Sequence, residues 1–106
     1  MVARNVSFHL KPNSSVAFTK QVDDETIPAL RKHPGFQGEL TFLSSGGVEG
    51  VAISFWDKKE NADAYAMGGY QEVMKTLTKF IEGTPKIWTY EVANSTFHKI
   101  ATTVAV

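Results

Sequence analysis

Two alternating stretches joined by Ser44-Ser45-Gly46-Gly47 constrain this chain more than any other feature. Residues 36–43 alternate, with Phe36, Gly38, Leu40 and Phe42 on one side. Residues 48–56 put Val51, Ile53 and Phe55 on one side and Ala52, Ser54 and Trp56 on the other. A period of two is the mark of a strand, and adjacent glycines supply the positive φ values of a tight reversal. The segment therefore reads as an antiparallel hairpin. A hairpin alone is at best marginal in water, so the rest of the chain must cover it.

The flanking residues supply that cover. Residues 2–10 form another alternating strand, with Val6, Phe8 and Leu10 on one side and Asn5, Ser7 and His9 on the other. Lys11-Pro12-Asn13-Ser14-Ser15 reads as a turn into a helix capped by Asn13 or a following serine. Phe18, Val22 and Leu30, with Thr19 and Thr26 between them, make a loose helical stripe, and Pro28 inside it predicts a kink or a late second turn. His33-Pro34-Gly35 closes this helix. Beyond the hairpin, Asp57 and Glu60 have capping-box spacing, and Ala62, Tyr65 and Ala66 form an inward side. Gly68-Gly69 interrupt. Tyr70, Val73, Met74, Leu77, Phe80 and Ile81 then recur at three and four, until Gly83 and Pro85 stop the helix. Residues 86–92 read as a strand with Trp88 and Tyr90 on one face, and residues 96–106 as a further β-prone segment.

The order is thus β-α-β-β-α-β with an extra C-terminal strand. It implies an α+β, ferredoxin-like antiparallel sheet with two helices on one face, in a single domain over residues 1–106. Two helices cover one face only, and the other keeps large apolar side chains. Such a sheet needs a second cover, and a second copy of the chain is the expected one, with residues 96–106 lying along an edge strand.

Composition narrows the function. Eleven basic and eleven acidic residues give a formal net charge of zero. That argues against a nucleic-acid binder and against a polybasic membrane-surface protein. Without cysteine there is no disulfide, thiolate catalysis or iron–sulfur ligation. Residues 1–15 lack a secretory apolar stretch, and no apolar run approaches the roughly 18 residues of a membrane span, so a cytoplasmic protein is expected. Phosphate-loop, zinc-protease, nucleophile-elbow and EF-hand motifs are all missing. His9, His33 and His98 lie in three different elements with no partner at helical spacing, so no metal site is expected. Asp23-Asp24-Glu25 reads as a solvated helix face.

The first and third strands are central neighbours in this architecture, and Asn5, Ser7 and His9 are expected to share a patch with Ala52, Ser54 and Trp56. Small residues beside an Asn, a His and a Trp leave space and polar handles, as small-molecule pockets do. Tyr65 and Tyr70 would form the other wall. The same residues also read as plain packing, with Asn5 and Ser7 in interface hydrogen bonds and Trp56 capping the core.

Three stretches carry a family resemblance: His33-Pro34-Gly35-Phe36, the run Phe55 to Ala62, and Tyr70 to Val73 followed by Phe80 to Val92. In order and loop length, residues 1 to about 92 resemble the antibiotic biosynthesis monooxygenase-like proteins of the dimeric α/β-barrel superfamily. The resemblance implies a homodimer paired through its sheets. Some members oxidise aromatic polyketides or quinols with O₂ and no bound cofactor; others isomerise small metabolites. A haem-degrading branch uses an Asn and a Trp at the positions of Asn5 and Trp56, but its histidine is replaced here by Ala66. Without that axial ligand haem iron has no proximal bond, so no cofactor is expected.

The resulting expectation is a cofactor-independent monooxygenase acting with O₂ on a small aromatic of quinol type. His9, Asn5 and Trp56 are the candidate catalytic residues, histidine being the side chain suited to proton exchange near neutral pH. Ser7, Ser54, Tyr65 and Tyr70 would contact the substrate. A non-catalytic small-molecule-binding or stress-associated dimer is the alternative, and an isomerase of the same fold also fits.

Overall fold

Strand register decides which side chains share a face, and here it does so throughout the sheet. A computed structural model describes residues 1–100. Strands β1 (Val2–Leu10), β2 (Phe36–Leu43), β3 (Glu49–Trp56) and β4 (Ile81–Glu91) form one antiparallel sheet in the order β2-β3-β1-β4. Between β1 and β2 run α1 (Ser15–Gln21), a π-helical turn (Val22–Thr26) and α2 (Ile27–Leu30); between β3 and β4 run α3 (Lys59–Met67), α4 (Gly69–Leu77) and a 3₁₀ turn (Thr78–Phe80). The α+β, ferredoxin-like architecture is as expected.

The helices pack on the face that carries Val2, Arg4, Val6, Phe8 and Leu10 from β1. Phe8 meets Phe18 of α1 with ring centroids 5.0 Å apart, and Trp56 stacks on Tyr65 of α3 at 4.9 Å. Gly50 lies opposite Phe8, and a Cβ there would come within 2.5 Å of the Phe8 ring. Only glycine lets that ring lie flat on the sheet.

Several local features differ from expectation, each for a physical reason. Pro28 does not kink a continuous α-helix. The turn before it widens instead, and the Ile27 N–H donates to the Val22 carbonyl in a π-type bond. Proline cannot donate to the preceding turn, and one extra residue in that turn makes room for its ring. The widened turn keeps Phe18, Val22, Thr26 and Leu30 in one buried row and leaves Asp23, Asp24 and Glu25 in solvent. The expected caps carry no side-chain bond: Ser14 and Lys58 are the N-cap residues, and Asp57 accepts from Asn61 Nδ2 at 2.8 Å instead.

In β2 the register shifts between Phe36 and Gly38, so Phe36 turns inward onto Trp56 (5.6 Å) while Gly38, Leu40 and Phe42 face away. One inserted residue reverses the alternation at that point. The last helix ends earlier than its periodicity implies. Ile81 belongs to β4, pairs with Leu10 and is buried, and a second register shift follows beside Gly83 (φ 72°). Pro85 is tolerated because β4 is an edge strand. The expected C-terminal strand is absent over residues 92–100, which are irregular, and residues 101–106 lie outside the described ones.

The face away from the helices carries Leu40, Phe42, Val51, Ile53, Phe55, Trp88 and Tyr90; among the described residues no helix covers it, and only the segment after β4 reaches it, with His98 against Phe55 at 5.3 Å. Leu40 and Phe42 are 46% and 54% exposed, Trp88 and Tyr90 47% and 59%. The chain exposes 6928 Å², against roughly 5,900 Å² expected for a compact monomer of its mass.

Candidate functional site

The register separates the six residues expected to form one patch. Asn5 pairs with Ile53 and Ser7 with Val51, whereas Arg4 pairs with Ser54 and Val2 with Trp56. Asn5, Ser7 and His9 therefore lie on the uncovered face, and Ala52, Ser54 and Trp56 lie under the helices. Ser7 and exposed His9 border a broad, open groove of about 590 Å³ with Phe42, Glu49, Glu82 and Lys86. Asn5 Nδ2 makes only a long contact, 3.4 Å, to the Ala3 carbonyl.

Ser54, Tyr65 and Tyr70 do meet, around an inner cavity of about 60 Å³ between sheet and helices. Its floor is made of two cross-strand rows, Arg4–Ser54–Glu39 and Val6–Ala52–Thr41. The small central residues, Ser54 and Ala52, leave the space. Val22 and Thr26 from the π-turn, with Val73, Met74 and Leu77 from α4, form the roof. Sixty cubic ångströms hold about two water-sized groups. Val22, Glu39 and Thr41 also line an outer vestibule of about 220 Å³, which opens between the π-turn and edge strand β2. The cavity thus adjoins solvent at one lip.

Trp56 supports this cavity from behind. It is fully buried, and its Nε1 donates to Ser54 Oγ at 2.9 Å, so its donor is already used. The indole is enclosed by Phe36, by Tyr65 and by His33, which meets Tyr65 edge-on at 5.3 Å. A Cβ on Gly69 would collide with the His33 ring, so the break between α3 and α4 lets that ring approach closely. Trp56 thus orients Ser54 and Tyr65, and a direct hydrogen bond to a substrate is not available to it.

The electrostatics of the cavity centre on a residue the sequence reading passed over. Arg4 is 5% exposed, and its guanidinium lies 4.1 Å from the Tyr70 ring centroid and 5.5 Å from that of Tyr65. It forms no ion pair with a carboxylate among the described residues. Cation–π contacts offset part of its desolvation, and a buried charge left without a counter-ion is costly. Burial pushes the Tyr65 hydroxyl up to about 12 against the opposing pull of Arg4. Burial also raises Tyr70, which the charge and hydrogen bonding of Arg4 draw back. Glu39 is raised by burial; its bond from Thr41 Oγ1 (2.6 Å) opposes this, and Asp23 adds to it. Thr26 Oγ1 is the buried side-chain atom without a partner among the described residues. In an arginine placed mid-strand among alternating apolar residues, the sequence did hold a signal: Arg4 shares parity with Val6 and Phe8.

No described group of histidine and acidic residues could hold a metal ion, and no described helix is long and apolar enough to cross a membrane. No protein-family model matches the chain, and no curated protein matches it either. Solved structures do. A protein of Bordetella bronchiseptica assigned to the antibiotic biosynthesis monooxygenases superposes with a TM-score of 0.75 at 16% identity, covering 88% of this chain and 97% of that one. A monooxygenase of Streptomyces coelicolor, ActVA-Orf6, solved with nanaomycin D, gives 0.74 at 17% identity over 89% and 88%. SnoaB, a cofactor-independent oxygenase of Streptomyces nogalater, gives 0.69 at 16% identity over 90% and 95%. The chain has the fold of the antibiotic biosynthesis monooxygenases.

Proposed function

We propose that the chain is a cytoplasmic, homodimeric, cofactor-independent monooxygenase that oxidises a small aromatic of quinol type with O₂ in the cavity beneath the helices. The observation that carries this reading is Arg4: a buried guanidinium without a carboxylate partner among the described residues, set among tyrosine rings. Such a site favours an aromatic anion, and an aromatic anion is the form of a quinol that reduces O₂ directly. Preorganised charge in a dry site acts more strongly than the same charge in water. The inner cavity has the size for O₂, and the ring would enter through the vestibule. The S. coelicolor and S. nogalater oxygenases of the same fold support the reading. Ser54, Tyr65 and Tyr70 contact the ring, and Trp56 holds two of them in place. His9, Asn5 and Ser7 lie across the sheet, where a second copy would cover them.

Oxygen uptake with a small quinol tests the assignment. Arg4→Met should lower the rate about 100-fold or more, the usual loss when a charge-stabilising donor is removed. Uptake lost instead in His9→Ala would return the site to the open groove. A second reading, a binding protein without turnover, is favoured by the small volume of the inner cavity. Quinols that raise the melting temperature and are never consumed would establish it.

A further inference from the structure

The same cavity holds one carboxylate that the packing does not explain. Glu39 faces the helices from edge strand β2, half-buried, and lines both the inner cavity and the vestibule. Among the described residues it pairs with no cation; its Oε2 accepts from Thr41 Oγ1. Ser54 pairs with Arg4 on one side and with Glu39 on the other, so the two charges stand in one cross-strand row. Adjacent strands are about 4.8 Å apart, which puts the two backbones roughly 10 Å from each other. No ion pair joins the two side chains among the described residues, and the separation is close to the length of one substituted ring. The residue between them is small, and an unpartnered hydroxyl, that of Thr26, lines the same space.

We propose that Glu39 is the proton acceptor of this cavity: a phenol or enol entering through the vestibule, which Glu39 also lines, places its hydroxyl on Glu39 at the end of the Arg4–Ser54–Glu39 row, and Glu39 takes the proton. This rests on the reading of the cavity as a substrate site. The O–H bond breaks, its electron pair stays on the ligand oxygen, and the carboxylate gains the proton. The charge left on the ligand spreads through the ring toward Arg4, so the pair of charges becomes a neutral acid and an anion facing a cation. Burial, which disfavours the ionised carboxyl, makes Glu39 a stronger acceptor than a surface glutamate. Asp23 from the π-turn, Arg4 from β1, Tyr65 from α3 and Tyr70 from α4 are the charged and titratable groups around it.

The test uses 4-nitrophenol, whose ring carries a hydroxyl at one end and an electron acceptor at the other, and whose two forms differ in colour. At a pH below the probe's own pKa, the whole protein should bind it as phenolate. Calorimetry in two buffers of unlike ionisation heat should count no proton released, because Glu39 keeps it. Glu39→Gln should bind phenolate only with about one proton released, or show a phenolate fraction about tenfold lower. Neutral phenol in the wild-type site, a proton released by the wild-type protein, identical behaviour of Glu39→Gln, or no binding at all would each overturn the proposal. The wild-type measurement decides by itself if the variant does not fold. Oxygen takes no part, so a chain that never consumes quinol, yet holds the proton as described, fails as an oxygenase and not in this step.

Discussion

The two faces of the sheet carry similar amounts of apolar side chain and end in different states. Under the helices, Trp56, Phe18 and Leu10 are almost fully buried, and polar groups sit among them in a row: Arg4, Ser54, Glu39. Across the sheet, Leu40, Phe42, Trp88 and Tyr90 remain about half exposed, and the polar groups Asn5, Ser7 and His9 lie among them unburied. The difference teaches where each face gets its cover. The helix face is closed largely by the chain's own elements, and burial there raises Glu39, Tyr65 and Tyr70. The other face leaves its large residues about half exposed, with Asn5 and Ser7 half-buried and His9 exposed among them. Chemistry that needs desolvation fits the first face, and the second copy proposed above would pack on the second.

Truncating one tryptophan on each face breaks this contrast most directly. Trp56→Ala empties a fully enclosed site and should cost about 3–5 kcal/mol, with loss of the near-ultraviolet signal of the stacked Trp56–Tyr65 pair. Trp88→Ala, at a half-exposed position, should cost the isolated chain about 0.5 kcal/mol or less. Urea unfolding at low protein concentration measures both. Equal losses would mean that the open face is covered within one chain. Association reads the second face by itself. Phe42→Asp places a charge on the open apolar patch at edge strand β2 and should weaken self-association about 100-fold, or roughly 2.7 kcal/mol, in sedimentation experiments. A wild-type chain that stays monomeric at all concentrations removes the second copy as the cover.

The ionisation of Tyr65 sharpens the first face. Its hydroxyl titrates near 12 in the folded chain because burial disfavours the phenolate, against about 10 when unfolded. The folded state therefore holds this proton more tightly. The stability it contributes is complete below about pH 10 and is lost as pH rises from there to about 12. The loss should be on the order of 2 kcal/mol, and Tyr65→Phe should remove that part of the alkaline transition while lysines and other tyrosines leave the rest. An identical alkaline profile for both proteins would show that Tyr65 is solvated.

Much of this arrangement was legible in the sequence. Alternation placed the first three strands and most of β4, whose first residues read as helix, while the strand expected over residues 96–106 is absent over the described ones; the Gly46-Gly47 hairpin pairs β2 with β3. The family resemblance and the fold agree. What failed was parity between strands that are distant in sequence. Nothing in residues 2–10 or 48–56 says whether Asn5 faces Ser54 or Ile53, because both strands alternate and either register buries apolar groups. The bulge that turns Phe36 inward and the one beside Gly83 were equally silent, since a one-residue insertion leaves the composition unchanged. Ser54, Tyr65 and Tyr70 meet around the cavity because the helix after Trp56 folds back over its own strand, a local consequence. Arg4 was overlooked although it shares parity with Val6 and Phe8, because a charged side chain at the start of a strand reads as a surface residue. Glu39 was hidden in the same way, one bulge away from the expected alternation.

Thr26 separates a cavity built for a ligand from one left by imperfect packing, and the predicted change has the opposite sign to the others. Its hydroxyl is buried without a partner among the described residues, in a turn widened to accommodate Pro28. An unmet buried hydroxyl costs about 1–3 kcal/mol, and valine has nearly the same shape. Thr26→Val should therefore stabilise the empty chain by about 1 kcal/mol. Were the cavity only a packing remnant, ligand affinity would be unaffected or absent. Where the hydroxyl serves a bound phenol, the same substitution must weaken binding of 4-nitrophenol while raising the melting temperature. A gain in stability coupled to a loss in affinity is the behaviour of a polar group kept for function, because packing alone selects for the valine.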